Sequence, residues 1–166
     1  ALVQPRMSLN YKVSDKFWLK AAWGKYDQYV VQSTLIDELG NYRFFWTLSD
    51  GENIPLQSSN HYSAGITYAG NGFSVGVEGY LKRMTGLTRF VNRQNIIEQR
   101  VFLGEGRSKG VDFLVEGEIL KHRVLLGYTL SETMERFDYF PLPIFVRSPQ
   151  DQTHEVKTAM ILNFDP

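Results

Sequence analysis

The sequence predicts an all-β chain: an antiparallel up-and-down sheet of the kind that forms a transmembrane β-barrel. Three observations predict it. Seven short segments carry apolar residues at every second position, with almost no charge among them. That is the period of a strand with one face for oil and one for water. The gaps between segments alternate short and long, as they do where a barrel has tight turns at one end and long loops at the other. No segment of useful length keeps a helical period.

The first strand is expected over Arg6 to Val13, with Met7, Leu9, Tyr11 and Val13 on the outward, apolar face. Ser14-Asp15-Lys16 supplies a tight polar turn. The second strand covers Phe17 to Tyr26, with Phe17, Leu19, Ala21 and Trp23 outward. A long polar and aromatic stretch then runs from Asp27 to Asn60. It holds an internal hairpin, Thr34 to Leu39 and Tyr42 to Leu48, around a Gly40-Asn41 turn. The third strand is His61 to Tyr68 and the fourth is Phe73 to Arg83. Ala69-Gly70-Asn71-Gly72 joins them into the strongest hairpin of the chain.

Met84 to Leu103 is the second long gap, into which the flanking strands can extend. The fifth strand spans about Ser108 to Gly117, with Val111, Phe113 and Val115 on one face and Asp112 and Glu116 on the other. Glu118 to Lys121 is a short connection to the sixth strand, His122 to Ser131. Thr133 to Thr153 is the third long gap, and Pro141, Pro143 and Pro149 mark it as loop. The seventh strand is His154 to Phe164, and Asp165-Pro166 begins another turn.

Strands near ten residues match the ~9–11 needed to cross a bilayer at a tilt. The outward positions named above carry no charge, whereas a Lys or Arg at the bilayer midplane costs about 2–4 kcal/mol. Tyr and Trp near strand ends suit the aromatic girdles of a membrane barrel. The competing reading is a soluble sandwich with a half-buried sheet. Net charge is zero, so no bulk attraction to nucleic acid is expected. The chain has no cysteine, which removes disulfides and thiolate metal sites. No leader peptide opens the sequence at Ala1-Leu2-Val3-Gln4-Pro5, so an exported protein is expected to be seen here without its beginning.

Four stretches in this order resemble the barrel domain of TonB-dependent outer-membrane receptors of the Bacteroidetes type. They are Pro5-Arg6-Met7-Ser8-Leu9-Asn10-Tyr11; Leu19-Lys20-Ala21-Ala22-Trp23-Gly24-Lys25-Tyr26; Ile54-Pro55 followed by His61-Tyr62-Ser63-Ala64-Gly65; and Gly104-Glu105-Gly106-Arg107-Ser108-Lys109-Gly110-Val111-Asp112 with Tyr128-Thr129-Leu130-Ser131. The resemblance covers nearly the whole chain. It implies a barrel of about 22 strands with a plugged lumen, of which these seven strands are a part. The expected domain is thus 1–166 as a partial barrel, with the plug and the remaining strands lying elsewhere. It further implies a Gram-negative outer-membrane location and active import of a scarce solute. The partners implied are the plug and the rest of the receptor, the TonB system acting through the plug, and the lipid bilayer.

Candidate site residues fall into two groups. Tyr42, Arg43, Phe44, Phe45 and Trp46 cluster on the first long loop, where aromatic and Arg side chains favour binding. They either contact a small or oligomeric solute or pack the loop against its neighbours. Iron chelates, cobalamin, glycans and peptides all fit that description. Charges on the inward face form the second group: Arg6, Lys12, Lys20, Glu78, Lys82, Asp112, Glu116, Glu155 and Lys157. Of these, Arg6, Lys20, Glu78, Lys82, Asp112 and Glu116 are candidates for contact with the plug or a wet lumen. The alternative is cross-strand charge pairing, at a few tenths to about 1 kcal/mol each.

Catalytic chemistry is not expected. Gly104-x-Gly106 with Gly110 lacks the Lys-Ser/Thr pair of a phosphate loop. His61, His122 and His154 share no metal-ligand spacing. Asp37/Glu38 and Asp50/Glu52 lie in loops without a neighbouring base or nucleophile, and no triad signature appears. No cofactor, metal or nucleic acid is expected. A soluble β-rich binding module or small closed barrel is the alternative function, and an outer-membrane barrel enzyme is the less favoured third.

Overall fold

The computed structural model describes residues 3–37, 39–91 and 100–164. The turn expected at Asp165-Pro166, Glu38 of the loop carboxylates and residues 92–99 of the second long gap lie outside the described residues. Ten strands form one sheet, and no helix occurs among the described residues. They are β1 (Arg6–Lys12), β2 (Phe17–Gln28), β3 (Val30–Ile36), β4 (Tyr42–Leu48), β5 (Gln57–Gly70), β6 (Phe73–Val91), β7 (Arg100–Ile119), β8 (His122–Phe137), β9 (Val146–Arg147) and β10 (His154–Ile161). The main path is β1-β2-β5-β6-β7-β8-β10, antiparallel throughout and not closed on itself.

The seven expected strands form this path. Register joins their alternating residues into continuous rows. One row reads Leu9, Ala21, Ala64, Gly79, Val111, Leu130. The next reads Tyr11, Leu19, Ile66, Val77, Phe113, Tyr128, Val156. Directly opposed residues of paired strands share a face, so one face is apolar over most of the path, with His154 opposite Leu130 on β10 and the Lys109–Glu132 ion pair one row above. The opposite face carries rows such as Asn10, Lys20, Gly65, Glu78, Asp112, Thr129, Glu155. This polar face is concave: a hollow of about 550 Å³ is lined from Ser8 on β1 to Glu155 on β10. Strand glycines gather there (Gly24, Gly65, Gly76, Gly110 and Gly127), and at Gly24, Gly65 and Gly110 a Cβ would lie under 3.0 Å from a neighbour.

The apolar face is uncovered. Met7, Leu9, Leu81, Phe113, Leu126 and Val156 are all exposed. Among the described residues the buried apolar side chains are Val31, Phe90 and Phe137, and all three lie at one end of the sheet.

The short turns are at the other end. Asn71 and Gly72 both have positive φ, the two-residue turn whose twist suits a hairpin. Leu120 also has positive φ, at 55°, in the β7–β8 turn.

The flanking strands extend into the second long gap, and the third holds strand where loop is expected. β6 and β7 run on together, Val91 opposite Arg100. β8 continues to Phe137, and β9 pairs back onto it through Met134 and Glu135. The register of β6 and β7 shifts between Thr85 and Leu87. The extra residue is Gly86, at φ +74°, where a Cβ would lie 2.5 Å from the Leu56 carbonyl oxygen. Only glycine fits that approach without strain. Past this bulge β5 no longer pairs with β6, and β3 takes its place in parallel, Thr34 opposite Arg89 and Leu35 opposite Phe90.

Candidate functional site

The end that carries the long connections has the only buried polar network among the described residues. β3 and β4 form the expected hairpin, though the strand begins at Val30 and the loop is wider than two residues. Asp37 closes it by accepting the amide N–H groups of Leu39 and Asn41 at 3.0 and 2.9 Å. The Asn41 backbone and side-chain bonds hold the Asp37 carboxyl below the usual carboxylate range. Asp50 caps the next loop in the same way: Ile54, Glu52 and Asn53 N–H groups donate to it and lower its pKa.

Alternation divides the hairpin into two faces. Val31, Ser33, Phe45 and Thr47 share the inner one. The Ser33 hydroxyl is fully buried, 2.5 Å from that of Thr47 and 2.9 Å from that of Thr88 on β6. Phe45 packs on Phe90, ring centres 5.0 Å apart. Gln32, Thr34, Tyr42, Phe44 and Trp46 occupy the other face.

That second face meets Arg89. Its Nη2 donates to Glu135 Oε1 at 2.9 Å and its Nη1 to the Tyr139 hydroxyl at 2.9 Å. The guanidinium also lies 4.1 Å from the centre of the Phe137 ring. Burial by itself would lower the Arg89 pKa, but Tyr139 and Glu135 outweigh it and the net shift is upward. Arg89 Nε is buried without a partner. A cleft of about 470 Å³ opens here, bounded by Thr34, Tyr42, Phe44, Arg89, Glu135 and Gln150 among others.

Of the five loop residues singled out from the sequence, Tyr42 and Phe44 line the cleft. Trp46 lies on the same face and is 68% exposed. Arg43 and Phe45 point to the other side, Phe45 into the packing against β6. Sequence reasoning missed Arg89, which falls in the second long gap, and Glu135 and Phe137, which fall in the third, expected to be loop. Arg89 stands among Leu87, Phe90 and Val91, Glu135 between Met134 and Arg136, and Phe137 near Tyr139 and Phe140, and nothing in these neighbourhoods names a partner.

All six inward charges share the concave face. Lys20, Glu78 and Asp112 lie in one row, and Arg6 and Lys82 in another. Glu116 forms an ion pair with Arg123. Asp112 accepts the Thr129 hydroxyl at 2.6 Å. Arg6 lies 4.5 Å over the Tyr26 ring and Lys82 lies 5.3 Å over the Tyr80 ring. Lys20, Glu78 and Lys82 make no ion pair with any described residue. His154 bonds Tyr128 at 2.8 Å, and no three His, Asp or Glu side chains among the described residues gather as a metal site.

Comparison with family models, with curated proteins and with solved structures gives no match.

Proposed function

We propose that this chain is a wall segment of a TonB-dependent outer-membrane receptor that captures a scarce solute at the cell surface and imports it to the periplasm. The observation that carries the reading is the apolar face, continuous over seven strands and covered by nothing described. In water such a face drives association; against hydrocarbon it is stabilising. Its height also fits. From Val111 to Ile119 along β7, at about 3.4 Å per residue and a tilt near 40°, the band is roughly 21 Å tall, against about 25 Å for outer-membrane barrels. Trp23 and Tyr62 sit opposite one another at its upper edge, as girdle residues do.

On this reading the concave face looks into the lumen. Lys20, Glu78 and Lys82, which lack ion-pair partners in the sheet, meet the plug or lumenal water. The cleft beside Tyr42, Phe44 and Arg89 faces the cell exterior and contacts the solute. On this reading transport energy reaches the barrel wall through the plug.

Cysteine labelling of the intact receptor in cells tests the orientation. Glu52→Cys, in a long loop, should react with an impermeant maleimide on whole cells. Lys121→Cys, in a short turn, should react only after the outer membrane is permeabilised. Labelling of position 121 alone on whole cells contradicts the reading.

A further inference from the structure

The apolar face changes character one row above its upper edge. The opposed residues there are Lys25, Asn60, Arg83, Arg107, Met134 and Arg147. Arg83 and Arg107 stand directly opposite each other on β6 and β7. Cross-strand neighbours lie about 5 Å apart at Cβ, and like charges so placed repel. The nearby acids are engaged elsewhere. Glu105 holds Arg136 at 3.1 Å, and Glu132 holds Lys109 at 2.9 Å. Asp151 lies 3.5 Å from Arg147 and Asp27 lies 3.8 Å from Lys25. Arg83 forms no ion pair with a described residue. Arg107 has only the Phe145 ring, 4.0 Å from its guanidinium carbon. Both arginines are exposed. The register therefore sets two exposed arginines opposite each other, neither of them ion-paired with a described residue.

Directly beneath them the apolar face has a hollow of about 760 Å³. Its floor is low because Ala64 and Gly79 lie opposite each other and offer no side chain beyond Cβ. Tyr62, Leu81 and Leu130 wall it, and Lys109 and Arg147 reach its rim.

We infer that this patch binds an anionic, phosphate-bearing acylated lipid of the surrounding leaflet. The phosphate sits between Arg83 and Arg107, and one acyl chain lies along the hollow over Ala64 and Gly79. Charge selects the headgroup, because two guanidinium forks match phosphate oxygens. The apolar hollow, continuous with the band below, selects a chain-bearing phosphate over a free one. The inference rests on the outer-membrane reading.

The test uses the intact protein that carries this chain, purified in detergent, with lipid adducts counted by native mass spectrometry. The probes are phosphatidic acid, phosphatidylcholine with the same chains, and inorganic phosphate. Phosphatidic acid should bind at least about fivefold tighter than phosphatidylcholine, and inorganic phosphate should not bind at matched concentration. Arg83→Gln should weaken phosphatidic acid about fivefold and Arg83→Gln with Arg107→Gln roughly 25-fold. Gly79→Leu, which fills the hollow, should weaken it as well. Equal binding of the two lipids, binding of inorganic phosphate as tight as that of phosphatidic acid, or an undiminished double variant overturns the inference. The comparison of probes needs no variant, so a misfolded one does not blunt it. A protein that remains monomeric without detergent overturns the outer-membrane reading itself; one that needs detergent but shows no headgroup preference overturns only the lipid site.

Discussion

Arg89 and Glu135 are the residues on which the order of the long-loop end turns. Their side chains are 9% and 10% exposed and 2.9 Å apart. Burying either charge alone is costly, whereas a buried pair is often no better than two apolar side chains of similar volume. Arg89→Leu or Glu135→Leu should therefore each cost about 3–5 kcal/mol of local stability. The double replacement should recover most of that loss. Hydrogen exchange of the amides of β3 and the outer part of β6 in the three variants reads this directly. Additive losses in the double variant would show that the pair does not act as a unit. Neither residue was legible as a partner in the sequence. Each stood in a long gap, and nothing in its own neighbourhood points to a partner 46 residues away. Tyr42 and Phe44 were legible, but only as members of a cluster. The strand period that separates them from Arg43 and Phe45 was itself readable in Tyr42–Leu48.

At the scale of elements, the strands were legible where one face needs oil and the other water. β1, β2 and the inner parts of β5, β6, β7, β8 and β10 all carry that contrast, and their pairing follows the expected order. The outer halves of β6 and β7 were legible only as extensions of the flanking strands into the gap, and that of β8 was not legible. There apolar residues fall on both faces, as in Val101-Phe102-Leu103, so the alternation that betrays a strand is lost. The bulge at Gly86 also shifts the parity of β6 in mid-strand. Parallel entry of β3 beside β6 had no local signal, since it depends on where β5 ends. The glycines of the bent face did carry a signal, which is clear only once the curvature is known. Gly104 lies under the Phe137 ring: an added Cβ would be 2.5 Å from that ring and 2.7 Å from the Arg136 carbonyl oxygen. Gly104→Ala should therefore cost about 1–3 kcal/mol, as overpacking does. Gly117→Ala, whose nearest contact would be at 3.3 Å, should cost clearly less. Denaturation midpoints of the two variants, compared in one detergent, check the order; equal losses would mean that the ring over Gly104 gives way freely.

For the whole molecule, a broad sheet with three buried apolar side chains among its described residues has too little core to stand alone in water. Its two free long edges, on β1 and β10, add unpaired backbone groups. Both demands are met together if hydrocarbon covers the convex face and further strands of one receptor pair with the edges. The most direct check is depth-resolved fluorescence of single-cysteine variants of the intact receptor in bilayers, labelled one at a time along Ser74–Tyr80. Lipid-borne quenchers should act on labels at positions 75, 77 and 79. Aqueous iodide should act on those at 74, 76, 78 and 80. Uniform quenching by iodide at all seven positions, or uniform protection from both quenchers, would contradict a strand with lipid on one side and water on the other.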